Sequence, residues 1–372
     1  MKQRKILITG GGTGGHLSPG VAIYEEMKAR ELRPLFCAGK ADSRFSILES
    51  VSPRDLIYYK APSFTRNIFK LPFFVIMFFA AVMKASKIIR RRNIEAVLGM
   101  GGYVSAPALF AANMLKVPVF LCEQNSVPGR VTSMFEKKAK RIYGTFDVSI
   151  EYLKNKEAFI NTGNPIRKHV LEYVSKKEAK KAFHLGHCGK VVLLIGGSQG
   201  ALKLNKLMLD LRKKYSAEMN NVGIIWSTGA ASYDEFRKKA HELDEGSIYL
   251  AGYIDKVGLA YRASDLAISR SGSGVMMELA ALGLPSILIP YPFAAMGHQD
   301  KNADVFCAEG ASIKISDNDA SADKVAPMFL ELLNNKRKLE NMSERNIAIS
   351  KKDAASAIVD DILSFIQGAD FV

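Results

Sequence analysis

Residues 6–16 read Ile6-Leu7-Ile8-Thr9-Gly10-Gly11-Gly12-Thr13-Gly14-Gly15-His16. The apolar run reads as a buried strand, the glycines as a tight loop, and the residues beyond as a helix. Ser18 reads as the N-cap of that helix and Pro19 as its first position. A second copy of the pattern opens at Lys190. There Val191-Val192-Leu193-Leu194-Ile195 is followed by Gly196-Gly197-Ser198-Gln199-Gly200 and a helix carrying Leu202, Leu207 and Leu211. Further strands are expected at residues 34–38, 96–98 and 117–122, then at 222–227, 247–250, 265–268 and 285–289, alternating with helical patterns. This alternation predicts an α/β fold of two Rossmann-like domains, each built on a parallel sheet, facing each other across a cleft. The boundary is expected at Gly163-Asn164-Pro165, giving domains 1–163 and 164–350. A last helix within 351–372 would pack back on the N-terminal domain.

With 372 residues the chain is long enough for two cores. Lys and Arg number 52 against 37 for Asp and Glu, a net charge of +15, which favours anionic partners without choosing among nucleic acid, lipid headgroups and phosphorylated substrates. Cys37, Cys122, Cys188 and Cys307 are far apart, which argues against a disulfide framework or a structural zinc site. The apolar run after Met1-Lys2-Gln3-Arg4-Lys5 is too short for a secretory leader, so a cytoplasmic chain is expected.

Gly10, Gly12 and Gly15 satisfy G-x-G-x-x-G, which brings in a dinucleotide-binding oxidoreductase as a rival reading. Such an enzyme needs an acid at the end of the second strand to hold a ribose. Phe36-Cys37-Ala38-Gly39-Lys40 offers none. The glycines still let a phosphate-bearing group approach the backbone at a helix N-terminus. His16 beside them is a candidate base or ligand, or a structural helix-start histidine. In the second half, Ser269-Arg270-Ser271-Gly272-Ser273-Gly274 precedes a helix bearing Glu278. Amides at that helix start suit a diphosphate, and Glu278 suits the two hydroxyls of a ribose. His298 and Gln299 open another helix and suit sugar hydroxyls. Asp317-Asn318-Asp319 has the D-x-D form of a metal–nucleotide site, but N-capping explains it better; the histidines show no paired spacing, so no metal and no cofactor is expected.

Residues 71–83, LPFFVIMFFAAVM, are apolar throughout and are followed by Lys84, Lys87, Arg90, Arg91 and Arg92. Thirteen helical residues span about 20 Å, short of a bilayer core of roughly 30 Å. The stretch is either a buried core helix or a face that dips into a membrane, with its basic cluster on anionic headgroups. The phenylalanines suit lipid better than nucleic acid.

Together the motifs resemble the MurG family, the bacterial transferases that convert lipid I to lipid II. The resemblance covers essentially the whole chain. It rests on ILITGGGTGGHLSP at the start, GMGGYVSAPA at 99–108, EQN at 123–125, GNPIR at 163–167, GGSQGA at 196–201, GYID at 252–255, SRSGSG at 269–274 with Glu278, and the 298–303 stretch HQDKNA. It implies a GT-B fold and inverting, metal-independent transfer of GlcNAc from UDP-GlcNAc to the 4-hydroxyl of MurNAc in undecaprenyl-pyrophosphoryl-MurNAc-pentapeptide. It also implies roles. The backbone of Ile254 pairs with uracil and Glu278 holds the ribose. Ser198, Arg167 and the amides at Ser273, Gly274 and Val275 neutralise the diphosphate. Gln299 and His298 read the sugar hydroxyls. Thr13, Gly14, Gly15 and Asn125 approach the sugar, while Gly101, Gly102 and Tyr103 hold the acceptor pyrophosphate. His16 is the candidate base, with Glu123 and Asn125 able to share that task. The implied place of action is the cytoplasmic face of the cell membrane, with Leu71–Arg92 on the anionic surface and no nucleic acid partner. Cys122, Thr132 and Val275 stand where relatives often carry histidine, asparagine and threonine. A transferase of the same fold using another UDP-sugar or glycolipid acceptor is the alternative.

Overall fold

In the computed structural model the described residues are 4–63, 67–197, 200–243 and 246–369. They form two compact units, Met1–Arg167 with Lys351–Val372, and Lys168–Ser350. The first unit contains β1 (Ile6–Thr9), β2 (Leu35–Gly39), β3 (Leu56–Tyr59), β4 (Ala96–Gly99), β5 (Val119–Glu123), β6 (Arg141–Gly144) and β7 (Phe159–Asn161). They form one sheet in the order β3-β2-β1-β4-β5-β6-β7, with every pairing parallel. The second unit contains β8 (Lys190–Ile195), β9 (Val222–Ser227), β10 (Ile248–Ala251), β11 (Leu266–Ser269), β12 (Ser286–Leu288) and β13 (Ser312–Lys314), in the parallel order β10-β9-β8-β11-β12-β13. Helices cover both faces of such a sheet, so central strands such as Ile6-Leu7-Ile8 and Val191–Ile195 are apolar at every position and fully buried. The winding direction reverses beside β1, between β1 and β4, and again between β8 and β11. Ligands of open α/β sheets collect at such points, beyond the strands' C-terminal ends.

Strands β3, β6 and β7 escape the sequence reading. They lie toward the sheet edges, and Leu56-Ile57-Tyr58-Tyr59 and Arg141-Ile142-Tyr143-Gly144 mix polar and apolar residues. Helix α1 (Gly14–Ala29) begins before the expected Ser18 cap. Thr13, in extended conformation, is its N-cap, and the amides of His16 and Leu17 bond back to the Thr13 carbonyl at 3.2 and 3.3 Å. Pro19 therefore lies inside the helix and cannot serve the Gly15 carbonyl; Gly15 is exposed, so solvent can take that place.

Against one face of the first sheet, Ile358, Val359, Ile362 and Ile366 of the Ala354–Ala369 helix join Ile6, Ile8 and Phe36. At about 1.5–3 kcal/mol per buried side chain, this makes the C-terminal helix an integral part of that core. Arg30, the C-cap of α1, bonds Asp360 and Ser356, and the Tyr143 hydroxyl donates to Asp361 at 2.8 Å.

Helix α2 (Leu71–Arg92) has 22 residues, so it is about 33 Å long rather than 20 Å. The basic turns continue the helix, and Asn93 ends it with a left-handed φ of 52°. By length and composition it could cross a membrane. It is not a buried core helix. Ala81, Val82, Ala85 and Ile89 pack in the first unit's core with residues of α3 (Gly102–Met114), while Phe73, Ile76 and Met83 are each 67% exposed and Phe79 53%.

Candidate functional site

In the first unit, the ends of β1, β2, β4 and β5 carry the chemistry-bearing loops. The Gly10–Thr13 loop is held from below by a residue absent from the sequence reading. The buried Asp42 carboxylate accepts the amide of Gly12 through Oδ1 and that of Gly39 through Oδ2, both at 2.9 Å. An acid thus does lie just past β2, but it faces the loop's own backbone. This also takes the Gly12 amide away from any phosphate. Asp42 stands three residues beyond the end of β2, past the position from which an acid would hold a ribose.

The β4 loop presses against the same glycines. Gly101 and Gly102 have φ of 87° and 71°, and a Cβ at Gly102 would meet the Gly11 carbonyl at 2.3 Å. Only glycine fits there. The His16 ring lies against both residues, about one side-chain contact away, and its Nδ1 bonds the Thr13 hydroxyl at 2.9 Å. The Tyr103 ring lies over Gly12. Thr13, Gly14, Gly15, His16, Gly101, Gly102 and Tyr103 therefore form one group.

Glu123 ends β5 and is 4% exposed. Its Oε1 accepts the Asn125 amide at 3.1 Å and the Asn125 side chain at 3.4 Å; Oε2 accepts the Gly129 amide at 2.8 Å and the Thr132 hydroxyl at 2.6 Å. Burial raises the Glu123 pKa, and the four donors oppose that rise. Both oxygens are thus engaged in holding the 123–132 turn, an arrangement that suits positioning rather than proton abstraction. Ser149 fixes the Asn125 carbonyl at 3.0 Å. The Thr132 hydroxyl thus makes this contact at a position where the resemblance implies asparagine is common.

In the second unit the corresponding switch lies between β8 and β11. Ser198 falls outside the described residues. Gly200, with φ of 75°, would bring a Cβ to 2.2 Å from the Thr228 carbonyl, so this loop also packs too closely for a side chain. After β11 comes the Ser273–Ala281 helix. Gly272 is its N-cap without a side-chain hydrogen bond, and no acidic residue lies in its first turn. Its first amides, at Ser273, Gly274 and Val275, are available for an anion. A Cβ at Gly272 or Gly274 would meet nothing within 4 Å, so the approach is open. On the same helix Glu278 is 7% exposed and accepts the Tyr261 hydroxyl at 2.7 Å. Tyr261 belongs to the Val257–Ala263 helix, which begins three residues after the buried Ile254.

Gln299 and His298 open the His298–Ala308 helix. The Tyr291 amide donates to Gln299 Oε1 at 2.9 Å, and Ser271 donates to the Gln299 carbonyl at 2.8 Å, which ties this helix to the β11 loop. With its oxygen engaged, the Gln299 side chain keeps its NH₂ as a donor. His298 Nδ1 lies 2.6 Å from the Ala295 carbonyl. A carbonyl only accepts, so Nδ1 carries the proton and Nε2 is the acceptor of the neutral ring. Burial holds His298 below the ordinary histidine pKa. Arg270 donates to the carbonyls of Ile289 and Pro290 and to Asp317 at 2.6 Å, while Lys203 approaches Asp317 at 3.5 Å. The Asp317-Asn318-Asp319 turn is capped by the Ser316 hydroxyl rather than by an aspartate, and Asp317 serves an ion pair. Arg167 is buried at the end of the first unit, next in sequence to neither group.

Residues 6–144 match the glycosyltransferase family 28 N-terminal domain, and residues 191–358 its C-terminal domain. The UDP-N-acetylglucosamine–N-acetylmuramyl-(pentapeptide) pyrophosphoryl-undecaprenol N-acetylglucosamine transferase of Desulforamulus reducens is 33% identical over 365 residues, covering 95% of this chain and 97% of the relative. The transferase of the same name from Acetivibrio thermocellus is 33% identical over 369 residues, covering 98% of each. Among solved structures, Acinetobacter baumannii MurG superposes with a TM-score of 0.72 at 21% identity, over 97% of this chain and 99% of that one. A UDP-GlcNAc 2-epimerase from Neisseria meningitidis bound to UDP-GlcNAc gives 0.67 at 17%, over 97% and 100%. These folds agree with the two Rossmann-like sheets seen here. The chain is a transferase that belongs to glycosyltransferase family 28 and, within it, to the UDP-N-acetylglucosamine–N-acetylmuramyl-(pentapeptide) pyrophosphoryl-undecaprenol N-acetylglucosamine transferases.

Proposed function

We propose that this chain transfers GlcNAc from UDP-GlcNAc to the 4-hydroxyl of MurNAc in undecaprenyl-pyrophosphoryl-MurNAc-pentapeptide, with inversion and without a metal ion. The observation that carries the reading is the Ser273–Ala281 helix. Its uncapped N-terminus offers amides for a diphosphate, and a buried, tyrosine-held Glu278 on the same helix offers a carboxylate for a ribose. Ile254 reads uracil through its backbone. Ser198 and Arg167 share the diphosphate with the amides at Ser273, Gly274 and Val275. The Gln299 NH₂ and neutral His298 Nε2 give one donor set and one acceptor to the sugar hydroxyls, so together they recognise hydroxyl groups in both senses.

The acceptor oxygen forms its bond to C1 of GlcNAc while the bond from C1 to the β-phosphate oxygen breaks. The electron pair leaves with UDP. The transition state has oxocarbenium character, and the charge growing on UDP is met by fixed amides, each worth about 3 kcal/mol in comparable sites. His16 takes the hydroxyl proton. For Nε2 to accept it, Nδ1 must carry a hydrogen, and the Thr13 hydroxyl is placed to accept that hydrogen. Asn125 with Thr13, Gly14 and Gly15 contacts the sugar, and Glu123 holds Asn125 in place. Gly101, Gly102 and Tyr103 face the acceptor pyrophosphate.

The protein works peripherally at the cytoplasmic face of the membrane. The exposed apolar face of α2 enters the lipid and its basic end pairs with anionic headgroups. Glu278→Ala tests the donor site. The KM for UDP-GlcNAc should rise about tenfold or more, with the acceptor KM unchanged. An unchanged donor KM would remove Glu278 from the site.

A further inference from the structure

Beside the first glycine loop, two adjoining cavities run between the sheet edge and α2. The larger, of about 610 Å³, is walled by Lys40, Tyr58, Lys60, Met77 and Lys84. The smaller, of about 440 Å³, shares Lys40, Lys60 and Met77 with it and reaches Tyr103. They form one groove that starts at the candidate acceptor residue Tyr103 and ends on α2.

Its walls differ in chemistry. Lys40 follows β2 directly and Lys60 follows β3 directly, so both stand at the C-terminal edge of the parallel sheet, on the side where β1 and β4 present their glycine loops. Lys84 reaches in from α2, where its Nζ donates to the Tyr58 carbonyl at 3.0 Å. Among the described residues no acidic side chain forms an ion pair with any of the three. Apart from Lys84, the α2 wall is apolar. Met77, Ala80, Ala81 and Lys84 line it at i, i+3, i+4 and i+7, a single stripe of the helix. The next stripe around the helix carries the exposed Phe73 and Ile76.

Resting on the transferase reading above, we infer that this groove is a subsite for the pyrophosphate–prenyl junction of the lipid-linked acceptor. Three ammonium groups neutralise the two phosphates, and the first isoprene units lie over Met77, Ala80 and Ala81. The chain then leaves past Phe73 and Ile76 into the lipid. The lysines thereby supply the cationic charge that the glycine loop lacks, since Asp42 already occupies the Gly12 amide. The groove sets selectivity for a phosphate carried on an apolar chain and takes no part in donor recognition.

The test uses the full chain and the double variant Lys40→Glu/Lys60→Glu; both side chains are exposed, so folding is spared. Three probes separate the sources of phosphate: farnesyl pyrophosphate, inorganic pyrophosphate and phosphatidylglycerol vesicles. The wild type should bind farnesyl pyrophosphate more tightly than inorganic pyrophosphate, because only the first covers the apolar wall. The double variant should lose about tenfold or more in farnesyl pyrophosphate affinity, the usual loss for charge-assisted hydrogen bonds, with UDP-GlcNAc affinity and vesicle binding retained. Met77→Ser should weaken farnesyl pyrophosphate and leave inorganic pyrophosphate unchanged. Farnesyl pyrophosphate binding that ignores the lysines overturns the inference. So does a loss confined to vesicles, which would make the groove a headgroup site. Lysine-dependent binding in a protein that fails to transfer GlcNAc would instead overturn the transferase reading and leave the groove standing.

Discussion

Glu123→Gln separates a carboxylate that holds a loop from one that takes a proton. In the native turn the two oxygens accept four donors: two from Asn125, one from the Gly129 amide and one from the Thr132 hydroxyl. Glutamine keeps one oxygen. The better rotamer leaves that oxygen on Asn125 and turns the new NH₂ toward Thr132, whose hydroxyl can reverse and accept. The Gly129 amide cannot reverse, and it loses its acceptor in a part-buried turn. Gly129 is exposed, so water can replace part of the lost acceptor, and the loss costs about 0.5–1.5 kcal/mol, equivalent to about a 2- to 13-fold change in a local equilibrium. Hydrogen exchange over residues 123–132 is the suitable assay. The single tryptophan, Trp226, belongs to the second unit and its emission would report on the wrong half. Exchange at Gly129 should accelerate by that factor, and kcat should fall modestly as Asn125 loosens, with the pH profile unmoved. Unchanged exchange together with a loss of turnover beyond about 10³-fold, the scale of a lost catalytic group, would refute the holding role and make Glu123 the base.

Two further outcomes follow from the geometry. Changing Phe73, Ile76 and Met83 to Ser should abolish most liposome binding while leaving the thermal midpoint in place, because all three are exposed; at about 1.5–3 kcal/mol for each buried side chain, the loss should exceed roughly a hundredfold. The same change at Phe78 should instead destabilise, since its ring packs edge-on against Phe110 at 5.9 Å; a vesicle assay beside a melting curve decides between them. Burial lowers the His298 pKa, so the folded ring stays neutral where the unfolded one protonates. The unfolded state then binds more protons, and stability should fall as pH drops below about 6.5, while donor KM stays flat until the lower folded pKa is reached. An NMR titration giving His298 an ordinary or raised pKa would contradict this.

The strands that matter most were readable because both faces are buried: Ile6–Thr9 and Val222–Ser227 stand where their apolar runs place them. Edge strands such as Leu56–Tyr59 carry mixed residues and no period that separates them from loops. Helix α1 was misjudged at its start because Ser18-Pro19 is a strong local signal. The Thr13 carbonyl, fixed by a glycine loop packed on a neighbouring strand's loop, outweighs it. The glycines and Glu278 announced a site through composition and spacing. Asp42 and Tyr261 did not, since their roles depend on partners 30 and 17 residues away. The same holds for α2. Its apolar run was plain, but which of its faces is covered is decided by packing against α3, and only that packing exposes Phe73 and Ile76. The lysine groove is of this kind too, since Lys40, Lys60 and Lys84 meet only when the sheet edge and α2 come together.

Transfer of labelled GlcNAc from UDP-GlcNAc to an undecaprenyl-pyrophosphoryl-MurNAc-pentapeptide analogue, carried out in EDTA, tests the central claim most directly. The account predicts a β-linked disaccharide product formed at the same rate with and without the chelator. Donor binding without transfer to that acceptor, or transfer that stops in EDTA, would contradict it.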